Sequence, residues 1–147
     1  MPSISLKAIA LGSLIDIGGS LLVGALYAFT YAVVLAAQNI PPEEMQRRTL
    51  SDPGYYLVLL AMGLAFMAVG GYVAARVARA REIMHAFLVA VVAIGFSLLF
   101  LFLSSTDTSQ YPAWYLPVSF GLTVPAALLG GYIAQRRALG GAHASAA

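Results

Sequence analysis

The chain has 147 residues, of which 61% are hydrophobic and 10% charged, and its mean hydropathy is +0.85. A soluble domain carries about 25% charged residues, so this composition excludes a water-soluble globular fold and leaves lipid as the solvent. The net charge of +2 does not indicate a nucleic-acid partner, because seven of the eight basic residues are Arg and most flank apolar stretches. With no Cys, disulfides, thiolate metal sites and thiol chemistry are excluded as well.

Four apolar stretches occupy the chain, at residues 8–37, 55–78, 83–103 and 114–134. Each reaches the roughly 20 residues that a helix needs to cross a hydrocarbon core. The first is about twice as long as a signal-peptide core and is interrupted by Asp16, so it reads as an uncleaved span. Asp16 follows Lys7 by nine residues, about 13 Å of helix at 1.5 Å per residue, which places it near mid-bilayer. An ionisable group there costs roughly 2.5–3.5 kcal/mol on insertion scales. Helical spacing puts Gly12, Ser20, Val23, Tyr27 and Tyr31 on the Asp16 face and turns Leu14, Leu21 and Leu22 away. Candidate partners for the carboxyl are Ser13 and Ser20 on the same helix, and Tyr72, Arg76, Tyr132 and Arg136 on neighbours. Two roles follow: a proton or cation carrier, or a fixed strut between helices.

The polar break at residues 39–53 contains Pro41-Pro42 and then Glu43, Glu44, Arg47 and Arg48, which suit a short solvated amphipathic turn. Tyr55 and Tyr56 open the second stretch, and Tyr111, Trp114 and Tyr115 open the fourth, as headgroup-level aromatics do. His85, following Arg81 and Glu82 at the start of the third stretch, reads as an interfacial residue. In the fourth, Pro112 and Pro117 lie near the start, where a missing N–H is tolerated. Pro125 is internal and frees the carbonyl of Gly121, with Thr123 as a substitute donor. Residues 140–147 read as a frayed tail.

If the spans alternate, Lys7, Arg76, Arg79, Arg81, Arg136 and Arg137 share one side and only Arg47 and Arg48 lie on the other. The positive-inside rule then predicts both termini in the cytoplasm, and the dominance of Arg over Lys with abundant Ala points to a bacterial plasma (inner) membrane.

The second and fourth stretches end alike. Gly70-Gly71-Tyr72-Val73-Ala74-Ala75-Arg76 matches Gly130-Gly131-Tyr132-Ile133-Ala134-Gln135-Arg136. In the first and third, Ile17-Gly18-Gly19-Ser20-Leu21-Leu22 aligns with Ile94-Gly95-Phe96-Ser97-Leu98-Leu99. Order is preserved, so the chain reads as two helical hairpins in a parallel repeat. The pairs Gly18-Gly19, Gly70-Gly71 and Gly130-Gly131, with Ser20, Gly24 and Ala28 at four-residue spacing, are candidate helix-packing sites.

These helix endings, together with Asp16-Ile17-Gly18-Gly19-Ser20, resemble those of small uncharacterised bacterial four-helix membrane proteins. The resemblance implies a fold and no activity. The sequence thus predicts an all-α integral membrane four-helix transmembrane bundle over residues 1–139, with no metal or cofactor. Its expected function is non-enzymatic, as a subunit or scaffold of a membrane assembly in contact with lipid and a membrane-protein partner. The alternative is a small homo-oligomeric transporter or channel that uses Asp16 for proton or cation coupling.

Overall fold

The structure is a computed structural model describing residues 4–104 and 111–144, with side chains through Ala138. Five helices follow one another: α1 (Leu6–Ala37), α2 (Pro42–Ser51), α3 (Pro53–Ala78), α4 (Glu82–Leu103) and α5 (Tyr115–Ala144). All but α2 are long and apolar enough to cross a membrane. They coincide with the four expected stretches, except that α5 runs past residue 134 to Ala144. Gly140 and Gly141 keep right-handed backbone, so the expected tail stays helical through Ala144 instead of fraying at a left-handed glycine cap. Residues 145–147 lie outside the described residues.

The break expected to hold a turn forms a ten-residue helix, α2. Pro42 takes the first helical position, Glu43 and Glu44 lie in the first turn, and Arg48 lies in the last, each matching the helix dipole. The Glu44 carboxylate receives Arg48 Nε at 3.0 Å and also pairs with Arg47. The hydrogen bond from Arg48 is the main reason that Glu44 titrates below the ordinary Glu value. Both pairs face solvent and contribute little to stability.

Short caps join the spans. Asn39 (φ 58°) ends α1 in the left-handed region, which Asn tolerates. Asp52 caps α3 by accepting the Gly54 N–H at 2.8 Å, with Pro53 at the first position. The turn from α3 to α4 contains two arginines with positive φ, Arg79 (53°) and Arg81 (49°).

α3 packs against each of the other spans, and α4 joins α1 to α5. The core is made of small residues: Ala74, Ala75, Ala86, Ala90, Ala127 and Ala134 are fully buried, while Leu22, Phe29, Leu99 and Phe102 face outward. In lipid a Leu gains nothing by leaving the solvent, so helices associate where backbones can approach closely. Gly12 and Gly70 do this: a Cβ on either would come within 2.6 Å of the other's carbonyl oxygen. Gly71 lies against the Ala127 carbonyl, Gly130 against the Ala68 carbonyl, and Gly131 against Ala86. All these contacts lie at the end of the bundle that carries the chain termini.

Gly19 accommodates the Phe66 ring, but Gly18 is exposed and a Cβ there would meet nothing within 4 Å. Gly18 therefore takes no part in packing within the chain, because the 100° step that turns Gly19 inward turns its neighbour out. Toward the α2 end the approach loosens. A Cβ on Gly24 would be 3.8 Å from Leu59, and Gly63, Gly95 and Gly121 have no such neighbour within 4 Å.

Candidate functional site

Where the helices part, α1, α3, α4 and α5 enclose a cavity of about 440 Å³. That is within the range of small-molecule sites. Asp16, Met67 and Ala93 line its deep end, and Tyr56, Tyr111 and Tyr115 line the other. Leu60, Leu64, Phe100 and Leu116 form apolar walls between them, with Ser20, Ser97, Ser119 and Thr123 as scattered hydroxyls. Eleven residues of α3 separate Tyr56 from Met67, so the cavity extends about 16 Å along the bundle at 1.5 Å per residue.

Asp16 is 5% exposed and packs at the crossing of α1 and α3, where a Cβ on Gly70 would lie 3.1 Å from its own Cβ. None of the six partners expected from the sequence hydrogen-bonds to it. Ser20 lines the same cavity, and the buried Ser13 hydroxyl has no hydrogen-bond partner among the described residues. The Tyr72 hydroxyl accepts a long hydrogen bond from Arg137 Nη1 (3.4 Å), and that guanidinium lies 5.7 Å from the Tyr72 ring. Arg136 lies 4.9 Å over the ring of Tyr132, and Arg76 is exposed. Among the described residues the ion pairs are those of Glu44. The Tyr132–Arg136 pair is local, four residues apart on one helix, a relation that helical spacing could have found. Such spacing misses Tyr72–Arg137, which joins α3 to α5.

At the α2 end, six of the eight tyrosines form a continuous cluster. Tyr27 stacks on Tyr55 at 5.3 Å, and Tyr31 meets Tyr55 at 5.0 Å. Tyr55 touches Tyr56, which meets Tyr111 at 5.9 Å and Tyr115 at 5.0 Å. Tyr56 is 2% exposed, so it closes the cavity instead of facing headgroups. Tyr27 and Tyr31, one turn apart on α1, were the sequence signal for this cluster once Tyr55 was placed opposite them. The Tyr31 hydroxyl donates to Asp52 Oδ2 at 2.6 Å. That bond first, and the Gly54 N–H second, hold the Asp52 carboxyl below its usual value.

His85, at the start of α4, is 1% exposed, packed inside the protein at the end that carries Ser5 and Arg81. Its Nε2 accepts the Ser5 N–H at 2.9 Å, and its Nδ1 lies 3.1 Å from the Arg81 carbonyl, to which it donates as the neutral tautomer. The ring therefore ties the start of α1 to the start of α4 and offers no free nitrogen to a ligand. Thr123 donates to the Ser119 carbonyl at 2.8 Å, so it does not serve the Gly121 carbonyl freed by Pro125. Among the described residues no three His, Asp or Glu side chains gather as metal ligands. A shallower depression at the termini end, between α4 and α5, is lined by Arg81, Glu82, Phe87, Leu128 and Gln135.

Four apolar spans around a small-residue core define a multi-pass α-helical membrane protein. Comparison with protein-family models, with curated proteins and with solved structures finds no match to this chain.

Proposed function

We propose that this protein is a non-enzymatic membrane component that holds a ligand inside the bilayer at the Asp16 cavity, either as a carrier or as a binding subunit. One observation carries the reading: a carboxyl that is 5% exposed receives no hydrogen bond among the described residues and lines a cavity of about 440 Å³. A structural strut joins two elements through its polar atoms, and among the described residues Asp16 joins none in that way. The cavity lies within a single copy, so binding does not require the homo-oligomer expected for a transport path. The subunit or scaffold reading retains its own support in α1. Leu14, Leu21, Leu22, Leu26 and Phe29 form an outward face available to lipid or to a partner helix.

Mild extraction followed by intact-mass measurement separates these readings. A small molecule bound one per chain, and lost from Asp16→Asn, is the expected result. A second polypeptide at fixed stoichiometry, with no small molecule bound, would transfer the function to assembly.

We also propose that both termini lie in the cytoplasm of a bacterial cell, which the six basic residues grouped at the termini end support. The cysteine-free chain makes the check simple. Gln46→Cys should react with an impermeant maleimide in intact cells and Arg76→Cys should not; the reverse pattern inverts the topology.

A further inference from the structure

The cavity also states which ligand it accepts, an inference that rests on the reading just given. Its walls are apolar along most of their length, with scattered hydroxyls, and among the described residues Asp16 at the deep end is the one ionisable carboxyl that lines it. Met67 and Ala93 line the same end with carbon, and Ser20, one turn from Asp16 on α1, is the nearest hydroxyl on that helix that lines the cavity. A divalent cation stripped of its water takes six or more oxygen ligands, more than one carboxyl and a serine supply at this end. What Asp16 lacks among the described residues is a donor. A second anion beside it would be repelled in a site of low dielectric.

The walls also show the way in. Leu21 on α1 and Phe96 and Phe100 on α4 line the cavity and are 60%, 42% and 57% exposed, whereas Tyr56 and Met67 on α3 are buried and Leu60 is half-buried. The opening therefore lies sideways between α1 and α4, facing the bilayer, with no need for a path from water.

We propose that the cavity binds a single-chain amphiphile that enters laterally between α1 and α4, places a hydrogen-bond-donating head group on Asp16, and lays its chain toward the tyrosine cluster. The shared chemistry is a neutral hydroxyl or a protonated amine on one alkyl chain. Anionic heads are excluded.

The chain's single tryptophan supplies the readout. Trp114 lies 5.8 Å from Tyr115 at the tail end of the cavity, so a bromine on the far end of a bound chain quenches its fluorescence. The full-length protein in zwitterionic nanodiscs at pH 8 is titrated with 12-bromododecanol, 12-bromododecylamine and 12-bromododecanoate. Saturable quenching by the alcohol and the amine, at least tenfold tighter than by the carboxylate, is expected in wild type. Asp16→Ala should abolish that discrimination. A preference for the amine identifies an ion-paired head, and parity with the alcohol identifies a hydrogen-bonded one.

Gly63→Leu separates failure of the ligand class from failure of the site, because Gly63 lines the cavity with open space at its Cβ position. If all three probes bind equally and Gly63→Leu blocks them, the cavity stands and the head-group assignment falls. If no probe saturates and Gly63→Leu changes nothing, both fall.

Discussion

The Tyr31 hydroxyl and the Asp52 carboxylate, 2.6 Å apart, fasten the far end of α1 to the first turn of α3. Asp52 does two things at once, because its other oxygen accepts the Gly54 N–H that opens α3. The α1–α3 hairpin is thus closed at one end by a side-chain hydrogen bond and at the other by backbone contact between Gly12 and Gly70.

Acid should loosen the first of these fastenings. The Asp52 carboxyl is held below its unfolded value, so its contribution to stability is complete above the ordinary carboxylate range and is lost as pH falls through the lowered value. In Tyr31→Phe the folded carboxyl returns toward its ordinary value, so the acid limb should flatten and the gap from wild type seen at neutral pH should close as pH falls. The loss at neutral pH should be about 1 kcal/mol, at the low end for a charged hydrogen bond because water reaches Asp52. Melting temperature against pH in detergent tests this; superimposable curves for the two proteins would sever the link.

Removing the acid from the cavity should stabilise the protein. Asp16 has no donor among the described residues, so Asp16→Asn relieves a costly intramembrane ionisable group without breaking a bond. A rise in melting temperature, together with loss of ligand, is the expected pair of results. A fall of several degrees would restore the strut reading.

The glycines divide into two groups by what surrounds them. Gly130→Ala pushes a methyl into the Ala68 carbonyl and should cost about 1–3 kcal/mol or more as α3 and α5 separate. Gly18→Ala meets open space and should gain about 0.5–1 kcal/mol from helix propensity. Reversible unfolding of the two variants in mixed micelles should give opposite signs.

His85→Phe keeps a ring in the core but removes the acceptor for Ser5 N–H and the bond to the Arg81 carbonyl. A loss of about 1–3 kcal/mol is expected. Proteolysis at the start of α1 should quicken in parallel, since that is the segment His85 holds.

The spans were legible because hydropathy over 20 residues is a local sum, and Asp16 was legible because a carboxylate in an apolar run needs no partner to be noticed. Its surroundings were not. Arg137 reaches Tyr72 from another helix, Tyr56 closes the cavity only because Tyr111 and Tyr115 fold over it, and His85 is buried only because α1 begins across from it. Such relations depend on helix crossings, which no periodicity within one helix encodes. α2 was half-read: its proline and acids were noted, but the span between them was taken for a turn when its charge order already suited a dipole.

Backbone contact is confined to one end of the bundle, and this gives the molecule a pivot. Gly12, Gly70, Gly71, Gly130 and Gly131 hold the spans together at that base, while at the other end the Tyr31–Asp52 bond and the tyrosine cluster tie α1 to α3 and α3 to α5 but do not include α4. A squeeze exerted by the surrounding leaflet would then act mainly on the width of the slot between α1 and α4. Lipids that press hard at that depth would narrow the slot, and lipids that leave slack would widen it. The thickness and composition of the host bilayer thereby become inputs to the cavity.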